Sequence, residues 1–176
     1  MNKELRNLVL SGLFMALGII LPFVTGQIPE IGSMLLPMHI PVLLCGMICG
    51  SKYGAIIGFI TPLLRSWLFI MPPILTAIPM AFELCTYGMV SGYIYSKFAN
   101  KSIKEIYLAL LSAMISGRIV WGIIRVLMIG LVNIEFSLQL FISGALLSAI
   151  PGIVLQLLLI PMIISILNKS GYFSNK

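Results

Sequence analysis

Long apolar runs fill most of this chain, and charged residues are almost confined to the short stretches between them. Only 9% of the residues are charged and the mean hydropathy is +1.11. In an ordinary soluble domain about a quarter of the residues are charged. A chain of 176 residues with so few polar side chains cannot cover its outer surface for contact with water. The sequence therefore predicts an integral membrane protein and excludes a water-soluble globule.

The apolar runs are long enough to cross a bilayer. A spanning helix needs about 20 mainly apolar residues, so the chain has room for about six spans and for no separate soluble domain. Prolines, glycines and short polar stretches divide the sequence into six runs. The predicted spans are residues 8–21, 34–50, 53–69, 77–95, 106–128 and 140–167. The expected fold class is an all-α bundle of six transmembrane helices that forms one domain over residues 1–176.

The basic residues outside the spans lie at one end of this bundle. Eight of the eleven are at the termini or in the loops on the same side: Lys3, Arg6, Lys52, Lys97, Lys101, Lys104, Lys169 and Lys176. The opposite loops contain Glu30 and Glu135 but no Lys or Arg. This asymmetry follows the positive-inside rule and predicts that both termini are cytoplasmic. Because the basic residues are spread over loop ends, we expect no nucleic-acid partner.

Four charged residues fall inside predicted spans, and each opposes membrane insertion. They are Arg65, Arg118, Arg125 and the one acidic member, Glu83. At roughly 2.5 to 3.5 kcal/mol for each, their combined cost is on the order of 10 kcal/mol before any pairing. All four lie in the outer half of the predicted bundle, and His39 falls in the same layer. Such a costly set of residues indicates a function.

The fifth predicted span carries a basic and aromatic stripe. Arg118, Trp121 and Arg125 are spaced three and four residues apart, so they share one helical face. Guanidinium groups bind carboxylates or phosphates through two hydrogen bonds, and an indole adds a flat apolar wall. The alternative is that Glu83 pairs with one arginine and the cluster only fixes helix packing. Since one carboxylate neutralises one guanidinium, the remaining positive charge favours a small anionic ligand.

These arguments give a set of candidate residues for the binding of a substrate. Polar residues of the outer loops, such as Asn133, are included because such loops can close over a pocket. The substrate-binding candidates are Arg125, Arg65, Glu83, Arg118, Trp121, His39 and Asn133.

Motifs for catalysis and for metal binding are missing from the sequence. The chain has no Asp, one His and no nucleotide-binding glycine loop, and we therefore expect neither an enzyme nor a bound cofactor. Cys45, Cys49 and Cys85 lie in apolar runs without neighbouring metal ligands, so no metal site is expected. In lipid, small residues four apart usually allow close helix packing. We expect this role for most of the glycine pairs: Gly46/Gly50, Gly54/Gly58 and Gly88/Gly92.

Several stretches of the chain resemble a known family. The segments LSGLFMALG, LLPMHIPVLLCGMICG, PLLRS and MAFELCTYG, together with the length and the six predicted helices, are similar to the substrate-binding S components of energy-coupling factor vitamin transporters. The first segment is similar to the A-x-x-x-A element of helix one in that family. Gly12 replaces the first alanine and Ala16 is the second, so the surface stays small.

The resemblance implies a role in transport across the cell membrane, in a bacterium. It implies that the chain captures a vitamin or its precursor at the outer face and joins a transmembrane scaffold subunit and two ATPase subunits. Gly12 and Ala16 would contact the scaffold, and the loop over residues 26–36 would gate a pocket lined by the outer halves of helices four to six. ATP would be hydrolysed by the partner subunits.

The resemblance leaves the identity of the vitamin open. The excess positive charge favours an anionic compound, and pantothenate is the first choice within the family. Pyridoxine, a hydroxymethylpyrimidine or a queuosine precursor are alternatives that Glu83, Trp121 and loop amides would bind. A membrane scaffold protein without a ligand, or a secondary transporter that works alone, is a rival interpretation. The latter is disfavoured because the six spans show no inverted repeat.

Overall fold

The chain is seen in a computed structural model that describes residues 2–24, 28–98, 102–132 and 149–170. These ranges are helical and contain no strand. Seven helices are described: α1 (Lys3–Val24), α2 (Pro29–Leu35), α3 (His39–Cys49), α4 (Ser51–Phe69), α5 (Ile74–Lys97), α6 (Ile103–Val132) and α7 (Ile150–Lys169). The all-α architecture expected from the sequence is therefore confirmed.

Four of the described helices, α1, α5, α6 and α7, are long and apolar enough to cross a membrane. They match the first, fourth, fifth and sixth predicted spans, although residues 140–148 of the sixth lie outside the described ranges. Helix α4 has 19 residues and coincides with the third predicted span, but it carries both Lys52 and Arg65 and is less apolar than these four. The chain is thus a multi-pass membrane protein, and the count of six spans stays a prediction.

The prediction of one continuous second span over residues 34–50 was wrong. Helix α2 ends at Leu35, Leu36 adopts a left-handed conformation with φ 49°, and α3 starts only at His39. Pro37 explains the break, because proline disfavours a helical conformation at the residue before it and cannot donate a backbone hydrogen bond. With eleven residues, α3 is about 16 Å long and cannot cross a bilayer by itself.

The predicted loop over residues 26–36 also needs correction, since Pro29–Leu35 is helical. Pro29 is at the first helical position, where a missing N–H costs no hydrogen bond. Residues 25–27 lie outside the described ranges. The described part of the segment between α1 and α3 is therefore a short helix followed by a sharp turn.

Helix α3 lies at the centre of the bundle. Ten of its eleven residues are buried, and it packs against α1, α4, α5 and α7. The chain then reverses at Gly50, whose φ of +107° is readily available only to glycine. Because α3 is surrounded on all sides, a polar residue at its first position, His39, is directed into the protein.

Glycines bring α3, α4 and α5 into backbone contact. An added Cβ at Gly54 would lie 2.6 Å from the Cα of Gly46, and one at Gly92 would lie 2.6 Å from the nitrogen of Ser51. A Cβ at Gly88 would overlap the backbone of Gly54. The predicted role in close packing is confirmed for Gly46, Gly54, Gly58, Gly88 and Gly92. It was wrong for Gly50, which lies at the reversal between α3 and α4 with no atom within 4 Å of an added Cβ.

Candidate functional site

A buried carboxylate on α5 is the centre of the candidate site. Glu83 is 2% exposed and lies on the face of α5 that packs against α3 and α6. Its Oε1 is 3.1 Å from Nη1 of Arg118 on α6 and 3.8 Å from Nε2 of His39 on α3. The structure therefore brings together three of the candidates, from three helices, in one charged cluster.

The cluster contains more polar atoms than it satisfies. Both ring nitrogens of His39, the Oε1 of Glu83 and the Nε and Nη2 of Arg118 are buried and have no hydrogen-bond partner within the described residues. The 3.1 Å pair between Arg118 and Glu83 is thus an electrostatic contact without hydrogen-bond alignment. A buried polar atom without a partner costs about 1 to 3 kcal/mol, so such atoms call for an explanation, and a bound ligand, ion or water is one.

An aromatic ring forms one wall of this cluster. The ring of Tyr87, one turn after Glu83 on α5, meets the ring of His39 edge to face with 5.3 Å between their centroids. Gly117 on α6 allows this position, since a Cβ there would overlap the Tyr87 ring. Sequence reasoning missed Tyr87. Its spacing of four residues from Glu83, which places both on one helical face, was the available signal.

The outward continuation of the stripe on α6 carries a second guanidinium group. The Arg125 guanidinium carbon lies 5.6 Å from the centre of the Trp121 ring, which is a cation–π contact. Arg125 is half-buried and has no acidic partner within the described part of the chain. Arg118 and Arg125 are seven residues apart, or about 10 Å along α6. The predicted stripe is therefore present, with Arg118 paired to Glu83 and Arg125 stacked on the indole of Trp121.

Arg65 occupies a different environment. It is 2% exposed on α4, donates a hydrogen bond from Nη1 to the carbonyl oxygen of Ile19 on α1, and lies near two rings. Its guanidinium carbon is 4.8 Å from the centre of the Phe23 ring and 5.4 Å from that of Phe69. None of these partners belongs to the Glu83 cluster. As a residue of the substrate site, Arg65 stays a prediction.

The residues predicted to contact a partner protein lie on an open face of α1. Gly12 and Ala16 are both exposed, and no atom lies within 4 Å of the position that a Cβ of Gly12 would take. In this respect Gly12 differs from the glycines of α3, α4 and α5. The candidate Asn133 lies outside the described residues.

A further buried polar residue was missed by sequence reasoning. Gln156 of α7 is 1% exposed, and its side-chain nitrogen has no hydrogen-bond partner in the described ranges. The signal was one amide within the apolar stretch from residue 150 to residue 164 of α7. It was overlooked because an uncharged residue hardly alters the hydropathy of a span.

The cluster suits binding better than catalysis. It offers charged and neutral hydrogen-bonding groups in an apolar surrounding, which is the composition of a small-molecule site. Within the described residues, no group of three His, Cys, Asp or Glu side chains is placed to hold a metal ion. Cys45 and Cys49 are buried in α3, among the apolar core residues.

Comparison with known families gave one result. The model of the family described as ECF transporter, substrate-specific component, matches residues 6–164. This range includes all of the cluster residues and nearly all of the described helices. No curated protein and no solved structure gave a significant match.

Proposed function

Because the chain belongs to the family of substrate-specific components of ECF transporters, we propose that it captures a water-soluble vitamin or vitamin precursor at the outer face of the cell membrane. Members of this family are transporter subunits that bind a substrate and work with an ECF module, and they are not enzymes. The observation that supports a ligand most strongly is the buried Glu83, Arg118 and His39 cluster with its unpaired polar atoms.

The proposed substrate is pantothenate, a vitamin with one carboxylate. Glu83 neutralises Arg118, so the cation available to an anion is Arg125, which already has one apolar neighbour in Trp121. We propose that Arg125 binds the carboxylate, that Trp121 packs on the carbon chain, and that His39, Glu83 and Arg118 bind the amide and hydroxyl groups. Asn133, which the sequence predicts to lie in an outer loop, completes the proposed set. Arg65 is left out of it, because its contacts with Ile19, Phe23 and Phe69 join α1 to α4.

Other ligands would use the same residues differently. Pyridoxine, a hydroxymethylpyrimidine or a queuosine precursor lacks a carboxylate and would be bound mainly through Glu83 and Trp121. A carboxylate in a buried site accepts hydrogen bonds from ring N–H or hydroxyl groups, which these compounds offer. Thermal stabilisation by one of these compounds would therefore indicate that Glu83, and not Arg125, is the main substrate-binding residue.

Transport itself is proposed to require partner subunits. The face of α1 around Gly12 and Ala16 is open and offers little side chain, so a partner helix can approach its backbone. We propose that a transmembrane scaffold subunit docks there and that two ATPase subunits supply the energy. The positive-inside pattern supports cytoplasmic termini and a bacterial plasma membrane orientation in which the Glu83 cluster is nearer the outside.

The proposal is tested by ligand-induced thermal stabilisation of the purified protein. A vitamin at about 100 times its dissociation constant adds about 2.7 kcal/mol to stability, which is a readily measured shift in Tm. The panel contains pantothenate, pyridoxine, a hydroxymethylpyrimidine and a queuosine precursor. We expect pantothenate to give the largest shift. No shift with any compound would favour a membrane scaffold without a ligand.

Two variants locate the binding site within the protein. Arg125→Ala is expected to remove the response to pantothenate, because it deletes the proposed partner of the carboxylate. Lys104→Ala removes a cation from the exposed start of α6, at the opposite end of the same helix, and is expected to leave the response unchanged. Equal losses in both variants would contradict a specific role for Arg125.

A further inference from the structure

The environment of Gln156 extends the candidate site to α7. This side chain is 1% exposed, and its amide nitrogen is buried without a partner in the described residues. Elsewhere on the α6 and α7 interface a polar group is satisfied, since the Tyr107 hydroxyl donates to the carbonyl oxygen of Leu157 at 3.2 Å. The backbone of Leu157 thus takes part in a satisfied contact between the two helices. The side-chain nitrogen of the neighbouring Gln156 has no such partner in the described residues.

The packing of α7 places the turn before Gln156 close to the start of α3. Gly152, one turn before Gln156, lies against the end of α2, where an added Cβ would be 2.6 Å from the carbonyl oxygen of Met34 and 2.9 Å from that of Leu35. Gly152 and Gln156 share one buried face of α7. Helix α7 also packs against α3, which begins at His39 shortly after this contact. Since long side chains on a helix lean back toward its N-terminus, the Gln156 side chain extends toward the level of Gly152.

His39 and Gln156 have the same unusual property. Both are at most 1% exposed, and both have buried nitrogen atoms that lack a hydrogen-bond partner in the described residues, although Nε2 of His39 is 3.8 Å from Oε1 of Glu83. Leaving these buried groups unpaired is unfavourable, and apolar residues at the same positions would not carry this penalty. A ligand that offers hydrogen-bond donors and acceptors removes this cost on binding.

We infer that Gln156 and His39 form a neutral hydrogen-bonding subsite that binds an amide or hydroxyl group of the substrate. This inference rests on the proposed function and deepens it, because it names the chemical class of the substrate. Arg125 provides a cationic end on α6, and Gln156 with His39 provides a neutral polar end on α7 and α3. The substrate is then a small molecule with an anionic group at one end and amide or hydroxyl groups along its body.

Two probes separate the two ends of the site. Pantothenate has a carboxylate, an amide and hydroxyl groups, whereas pantothenol has a hydroxymethyl group in place of the carboxylate. Binding of each probe to the purified full chain is measured by thermal stabilisation and by calorimetry. Gln156→Leu removes the amide with little change in volume, Gln156→Met is a second apolar replacement of similar length, and Tyr107→Phe is the matched control.

Each variant is expected to change the affinity for the two probes in a different way. Gln156→Leu is expected to weaken the binding of both probes by about tenfold or more, because both have the amide and hydroxyl groups. The same variant without ligand is expected to be at least as stable as the wild type, since an unpaired polar group is removed. Arg125→Ala is expected to weaken pantothenate far more than pantothenol, and Tyr107→Phe to leave both affinities unchanged.

Other results would overturn the inference and are distinguishable from a failure of the proposed function. Wild-type affinity for both probes in Gln156→Leu and Gln156→Met would assign Gln156 to structure alone, with the vitamin site intact. Stabilisation of the wild type by pyridoxine alone would contradict the inference that the substrate has an anionic group at one end. A wild type that no panel compound stabilises would overturn the proposed function, and this subsite with it.

Discussion

Two arginines of this protein, the buried Arg65 and the half-buried Arg118, have opposite relations to their surroundings. Arg65 is 2% exposed and is surrounded by α1 and α4, with one carbonyl acceptor and two aromatic rings. Arg118 is 18% exposed and faces Glu83, with two of its nitrogen atoms unpartnered in the described structure. The first arrangement joins two helices, whereas the second leaves hydrogen-bonding capacity for another molecule.

The regions around these two arginines differ as well. Near Glu83, helices α3, α4 and α5 are held by backbone contacts through glycines, and Gly117 of α6 packs against the Tyr87 ring, so the charged groups are fixed in place. Helix α1, which Arg65 joins to α4, is open at Gly12, where no atom lies within 4 Å of an added Cβ. One region is thus suited to a small ligand and the other to a partner helix. Three variants test this division, in order of their expected effect on stability.

The largest effect is expected from Arg118→Met. It leaves the carboxylate of Glu83 buried without a counter-charge, which costs about 3 to 5 kcal/mol. Thermal unfolding in detergent should show a strongly lowered Tm, and the vitamin response should be lost. The double variant Glu83→Gln with Arg118→Met removes both charges and should regain most of the stability without regaining the response. Recovery of ligand binding in the double variant would assign the pair to folding alone.

Arg65→Met is expected to have a smaller effect on stability and none on binding. It removes one hydrogen bond and two cation–π contacts, so we expect a loss of about 1 to 3 kcal/mol. Because these contacts join α1 to α4, the vitamin-induced shift in Tm should keep its wild-type size. A variant of normal stability that no longer responds to the vitamin would instead place Arg65 in the substrate site, as the sequence predicts.

Gly12→Leu should leave stability almost unchanged while it stops transport. No atom lies within 4 Å of the Cβ position, so the new side chain meets no neighbour within the chain. It would, however, keep a partner helix away from the backbone of α1. Uptake of labelled vitamin into proteoliposomes that contain the complete transporter measures this effect. Normal uptake by the variant would contradict the proposed docking face.

A glycine inside the bundle provides the matched control for Gly12. Gly88→Ala adds a single methyl group, but that group would overlap the backbone of Gly54, which cannot move aside as a side chain can. We therefore expect a lower Tm for this variant although the substitution is smaller than Gly12→Leu. Similar stability of the two variants would show that the contact between α4 and α5 is more adaptable than its geometry indicates.

The sequence by itself determined that the protein lies in lipid, that its fold is all-α and where most of its helices lie. Hydropathy is a local property, and a backbone in lipid must satisfy its own hydrogen bonds, so apolar runs of this length become helices. The stripe of Arg118, Trp121 and Arg125 also followed from spacing along one helix. The family was evident in the same way, because its characteristic segments are local stretches of residues.

Only the tertiary structure decided which partners the buried polar groups have. From the sequence, any of three arginines could pair with Glu83. The pairing with Arg118 depends on how α5 packs against α6, and residue spacing within one helix does not reveal this. The same holds for Arg65, whose partners are on α1, and for the interruption of the second predicted span before α3. Gln156 could not be predicted in the same way, because one uncharged amide barely changes the hydropathy of a span. In the described structure its side chain is buried and its nitrogen has no hydrogen-bond partner, which is energetically unfavourable.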